Sequence, residues 1–166
     1  MQQLLNKTEN DMEKNKMEKL ELKRKIYNKC LGILENNAET ARKTMNEIQI
    51  DANEAEQEHD VFDGSRSELL RERDIYAEQL QKAVDDIHIL KKVSFDGLED
   101  KVEFGAVVIT NRQKIFIALG LGKVEVDGDT YFVISKDVPI YKAMEGMNKG
   151  DSFEFNSMKF EIEDVF

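Results

Sequence analysis

Apolar residues recur every seven positions in two long stretches of this chain, and that period points its first half to paired helices. Leu20, Tyr27, Leu34, Ala41 and Ile48 lie seven apart, with Leu31, Ala38, Met45 and Ala52 in the alternate seam position. Arg24 interrupts this stripe near its start. The second stripe has Leu69, Tyr76, Ala83 and Leu90 in one position and Leu80 and Ile87 in the other, with Arg73 as its polar exception. No Pro and only Gly32 fall within the two stretches, so the backbone permits continuous helices over about 17–52 and 65–93. A helix of about 28 residues is roughly 42 Å long. About a dozen polar residues join the stripes, which favours an antiparallel hairpin over two distant helices. A dimeric coiled coil is the competing arrangement; the hairpin implies a monomer. Ala38, Ala41 and Ala83 would let the two helices approach closely.

The join is chemically one-sided. Between Lys43 and Arg66 there is no Lys or Arg, but there are seven carboxylates: Glu47, Asp51, Glu54, Glu56, Glu58, Asp60 and Asp63. The turn is expected near 58–65, with Gly64-Ser65 breaking the helix and Ser65 capping the next one, Glu68 completing a capping box. A hairpin of this kind holds concentrated negative charge at its end. The chain as a whole, 166 residues with a net charge of −10, is a poor candidate for gripping nucleic acid, which needs clustered Lys and Arg. A basic protein surface or a metal ion is the better-matched partner. No membrane span and no secretory signal are evident, and the lone Cys30 can form no internal disulfide, so a cytoplasmic protein is expected.

After Val93 the period changes from helical to alternating. Residues 102–110, 114–119, 123–126 and 130–134 read as strands, with Asp127-Gly128 as a tight hairpin turn. A short helix follows at Pro139–Gly146, begun by Pro and ended by Gly, then two closing strands at 152–155 and 159–165. The expected fold class is therefore α+β. It comprises an N-terminal extension (1–16), an antiparallel coiled-coil hairpin (17–93) and a small antiparallel β domain with one short helix (94–166).

This order of elements resembles the Gre family of bacterial transcript cleavage factors over about residues 17–166. The most specific match is Val138-Pro139-Ile140-Tyr141-Lys142-Ala143-Met144-Glu145-Gly146, followed by Lys149-Gly150-Asp151 and the closing strand Phe160-Glu161-Ile162. The resemblance implies an FKBP-like C-terminal domain that docks on RNA polymerase, with Pro139 and Ile140 among the partner-binding residues. It also implies that Asp60 and Asp63, counterparts of the family's Asp-x-x-Glu pair, enter the polymerase secondary channel with Phe62 and Arg66 beside them. There they would help hold a Mg²⁺ shared with the polymerase for cleavage of backtracked RNA, the transcript 3′ end being met only indirectly and duplex DNA not at all. Mg²⁺ is commonly fixed by one or two protein carboxylates plus water, so a partner can complete its shell. The hairpin would have no catalytic residue of its own. Two departures stand out: Asp63 replaces Glu, and Gly64-Ser65 replaces Asn-Ala-Glu.

Other readings compete with these. Asp60 and Asp63 could be part of a solvated acidic loop, and Glu47, Asp51, Glu54, Glu56 and Glu58 a solvated helix face. Factors of this architecture can also inhibit polymerase without stimulating cleavage. His59 reads as a surface residue, Tyr27 and Tyr76 as hairpin-seam packing, and Cys30 as a half-buried structural thiol. Lys43, Arg66, Arg71 and Arg73 either face RNA or pair with neighbouring Glu. An FKBP-like domain also raises a chaperone or prolyl-isomerase reading, although a small sheet needs most of its ten aromatics for its own core.

Overall fold

The computed structural model describes residues 2–57 and 63–166, and the side chains of 10–55 and 64–166. Two long helices, α1 (Gln2–Gln57) and α2 (Asp63–Leu90), precede six strands and one short helix. The strands are β1 (Val107–Thr110), β2 (Lys114–Ile117), β3 (Gly122–Val126), β4 (Asp129–Ile134), β5 (Ser152–Phe155) and β6 (Met158–Val165), with α3 (Pro139–Met144) before β5. The chain divides into two compact units, one of residues 31–88 and one of residues 1–30 together with 89–166. The fold class is α+β, as the two sequence periods imply.

The sheet runs β3-β4-β2-β1-β6-β5. It is not wholly antiparallel: β2 and β4 are parallel, Ile115 beside Phe132 and Phe116 beside Val133. The reason lies in the β3–β4 hairpin. β3 (GKVEV) exposes Lys123 and Glu125 and has only Val124 and Val126 to bury, so it suits an edge, whereas the more apolar β4 (DTYFVI) turns inward against β2. Asp127 and Gly128 both have positive φ (52° and 85°), the geometry of the favoured two-residue hairpin turn. Asn156 and Ser157 (φ 51° and 59°) make the same kind of turn between β5 and β6.

One face of the sheet packs with α3 around Val108, Ile115, Ile117, Tyr141, Met144, Phe153, Phe160 and Ile162. Alternation sends Val107, Phe116, Val124, Tyr131 and Val133 to the other face, and all are buried. We place the first part of α1 over that second face. Its Lys19 Nζ lies 2.6 Å from Asp164 of β6 and its Lys25 Nζ 3.0 Å from Asp127 at the β3–β4 turn, while Ile26 and Cys30, just beyond them in the helix, are fully buried. Lys23 is also fully buried, with its ammonium 3.1 Å from Glu99 and 5.8 Å from the Phe95 ring centre.

Several boundaries differ from those the sequence predicts. α1 begins at Gln2, so residues 2–16 are helical, and α2 starts at Asp63, two residues before the expected cap Ser65. Gly64 and Ser65 lie inside the first turn of α2, where the N–H groups need no intrahelical acceptor and a Gly costs only about 1 kcal/mol. The first strand is shorter than 102–110 because Gly105 (φ 92°) turns the chain, with Ala106 N–H donating to Glu103 O at 3.1 Å. Tyr27 lies in the same unit as the sheet, edge-on to Phe95 at 5.1 Å. Cys30 is wholly buried, and burial pushes its thiol up to about 12.

Candidate functional site

The helical unit is built from Leu31–Gln57 of α1 and Asp63–His88 of α2, each roughly 40 Å long at 1.5 Å per residue. Leu34, Ala41 and Ile48, seven apart, and Ala52 are buried, as is Ala83 of α2. The helices are antiparallel: Arg73 Nη1 donates to Gln49 Oε1 at 2.7 Å, and these residues lie at comparable distances from the facing helix ends, Gln57 and Asp63. Arg73, the polar exception of the second stripe, is thus half-buried between the helices.

Only residues 58–62 separate α1 from α2. His59, Asp60 and Phe62 lie outside the described residues, and Asp63 is described only as the first residue of α2. What the structure does position is the approach to them. Glu47, Asp51 and Glu54 are exposed on the last turns of α1, and Arg66, Glu68 and Arg71 are exposed on the first turns of α2. Among the described residues there is no group of three or more His, Cys, Asp or Glu that could hold a metal ion.

Charge divides sharply between the units. Residues 31–88 hold 15 of the 34 carboxylates but 6 of the 24 Lys and Arg, a net −9 out of the chain's −10. The ion pairs among this unit's described residues include Arg42 and Lys43 to Glu39, Arg73 to its neighbour Asp74 and Lys82 to Asp86, all between near neighbours in the sequence. Such pairs relieve little of the field that surplus carboxylates project from a helical surface.

In the sheet unit, the segment 138–151 is explained by backbone geometry. Pro139 occupies the first turn of α3, where its missing N–H costs nothing, and it is exposed. Ile140 is half-buried against the core, so much of its apolar surface is already spent there. Gly146 (φ 74°) ends the helix and donates its N–H to Val102 O at 2.8 Å. Gly150 (φ 92°) donates to Ile162 O, and Asp151 accepts from Asn148 N–H at 2.8 Å. These positions need Gly and Asp to make the fold, whatever else they do. Tyr141 donates from its hydroxyl to Glu145 at 3.2 Å, and burial raises its pKa.

All ten aromatics from Phe95 onward are buried or half-buried, among them Phe153 and Phe160 stacked at 4.9 Å. The sheet consumes its aromatics as core. Sequence reasoning missed the network that ties α1 to the sheet unit. Its signal was present in the spacing: Lys19, Lys23 and Ile26 recur at helical intervals alongside the expected stripe.

No protein-family model matches the chain, and no curated protein matches it. Among solved structures, the chain is similar to one described as the structure of the transcription factor Gfh1, at 18% identity and a TM-score of 0.34 over 82% of this chain and 93% of that one. A second, the crystal structure of GreA factor homolog 1 (Gfh1) of Thermus thermophilus, gives 16% identity and a TM-score of 0.32 over 82% of this chain and 94% of that one.

Proposed function

We propose that the chain is an accessory factor of RNA polymerase that enters the secondary channel with the acidic end of its paired helices. The observation that carries this reading is the placement of the charge. A net −9 is concentrated in the helical unit, and the stretch without Lys or Arg runs from the last turns of α1 through residues 58–62 into α2. The order of elements and the segment 138–151 support the same reading, since both resemble the Gre family.

Asp60 and Asp63 are the residues proposed to act at the polymerase centre. Carboxylates are hard oxygen donors of the kind Mg²⁺ prefers, and the exposed Glu47, Asp51 and Glu54 add to the negative field of a unit whose net charge is −9. A Mg²⁺ shared with the polymerase would stabilise the attacking and leaving oxygens during cleavage of backtracked RNA. The chain contributes ligands and orientation, and the polymerase contributes the rest of the site. The protein itself is then no enzyme.

A second reading keeps the docking and drops the cleavage. It is favoured by Asp63, one methylene shorter than Glu, and by seven carboxylates where two suffice. Transcript cleavage in a backtracked elongation complex separates the two. The first reading expects the wild type to accelerate cleavage and the Asp60→Ala/Asp63→Ala double variant to bind without accelerating it. Slower nucleotide addition with no cleavage supports the second reading, and absence of binding to polymerase overturns both.

A further inference from the structure

We infer that Gln49 and Arg73 form a clasp that fixes the separation and rotation of the two helix ends flanking residues 58–62. The contact is more than one bond. Arg73 Nη1 donates to Gln49 Oε1 at 2.7 Å, while Arg73 Nε and Nη2 donate to Asp74 Oδ1 at 3.0 and 2.5 Å. Gln49 in turn donates from Nε2 to Asn53 Oδ1 at 2.9 Å. Asp74 therefore orients the guanidinium and Asn53 orients the amide, so that each partner is held before it meets the other. A planar, multiply bonded guanidinium loses less freedom per bond than a flexible ammonium would.

Two features make such a clasp necessary. The seam is built partly of Ala52, about one turn from Gln49, and of Ala41 and Ala83 farther from residues 58–62, small side chains that pack closely but specify rotation and register less sharply than large interlocking ones. The length of the join leaves the ends equally unspecified. Five residues can reach about 17 Å when extended, at roughly 3.3–3.6 Å each, whereas packed helix axes lie only about 8–10 Å apart. Neither the join nor the alanines dictate how the ends sit. A polar pair set in a mainly apolar seam is a known means of fixing register at some cost in stability. The clasp itself rests on these contacts alone; its role as a positioning device for Asp60 and Asp63 rests on the function proposed above.

Spin labels at Glu54→Cys and Glu68→Cys, both exposed and level with each other beyond the clasp, read the separation in the free full-length chain by pulsed electron resonance. Cys30, fully buried, stays unlabelled. The clasp predicts one narrow distance distribution that widens at least twofold in Gln49→Leu/Arg73→Leu, while the melting temperature is unchanged or higher. Arg73→Lys should widen it less, and Gln49→Glu, which replaces the amide with a carboxylate, should keep it narrow. If the double Leu variant unfolds, the Lys and Glu variants decide. An unchanged width in Gln49→Leu/Arg73→Leu, or widening in Gln49→Glu equal to that in Arg73→Lys, would overturn the inference. Because the readout needs no polymerase, failure of the clasp and failure of the proposed function remain distinguishable. Should both hold, the double Leu variant binds polymerase normally and loses most of its effect on the transcript.

Discussion

The helical unit and the sheet unit are stabilised in opposite ways. The sheet unit closes both faces of a six-stranded sheet and joins distant segments by ion pairs, Lys19 to Asp164, Lys23 to Glu99 and Lys25 to Asp127. The helical unit has a narrow seam of alanines and aliphatic side chains, ion pairs between near neighbours and almost the whole net charge of the chain. One unit spends its side chains on its own interior. The other keeps its carboxylates for solvent or a partner, and accepts self-repulsion as the consequence.

The largest effect that would test this contrast belongs to the sheet unit. Glu99→Ala leaves the fully buried Lys23 ammonium without its carboxylate, and should destabilise the protein by about 3 kcal/mol in chemical denaturation. Lys23→Met, which removes the charge and keeps the volume, should cost far less. Equal losses from the two would show that Lys23 acts by packing its stem. In the helical unit, Leu34→Ala should cost about 2–3 kcal/mol, and hydrogen exchange should accelerate across 31–88 while the strands stay protected. Uniform acceleration would mean that the two units unfold together.

Smaller effects sharpen the same comparison. Gly146→Ala forces a side chain into positive φ and should cost about 1 kcal/mol in the sheet unit. The Cys30 thiol, pushed up to about 12 by burial, stays neutral in the folded chain when the unfolded chain has begun to ionise. Its contribution is therefore full below about 9, its ordinary value, and declines as pH rises from there toward 12. Thiol-labelling at pH 8 should accordingly be slow and limited by unfolding. The smallest effect is salt: added NaCl should stabilise residues 31–88 by under about 1 kcal/mol, since screening relieves like-charge repulsion while the surface pairs lost are themselves weak.

Much of the fold was legible in the sequence because its two periods are clean. Heptads at Leu34, Ala41 and Ile48 and the Asp127-Gly128 turn identify helices and a hairpin from local chemistry alone. The parallel pairing of β2 with β4 was not legible, because it depends on which strand of a hairpin faces the sheet centre, a choice settled by the whole sheet. The start of α2 was misplaced because Gly64-Ser65 carries a strong local stop signal that the first turn of a helix tolerates. Of the candidate site, the acidic window without Lys or Arg between Lys43 and Arg66 was plain in the sequence. The clasp was not, since Arg73 reads as a flaw in the stripe until Gln49 is found opposite it.

The most direct test of the proposed function is a photo-crosslinker placed at Glu54, exposed three residues before the end of α1, in the full chain mixed with RNA polymerase. The account predicts crosslinks from this position to polymerase segments lining the secondary channel, competed by excess unmodified protein. Crosslinks from a probe at the exposed Lys142 of α3 but none from position 54 would contradict it, because the acidic end would then remain outside.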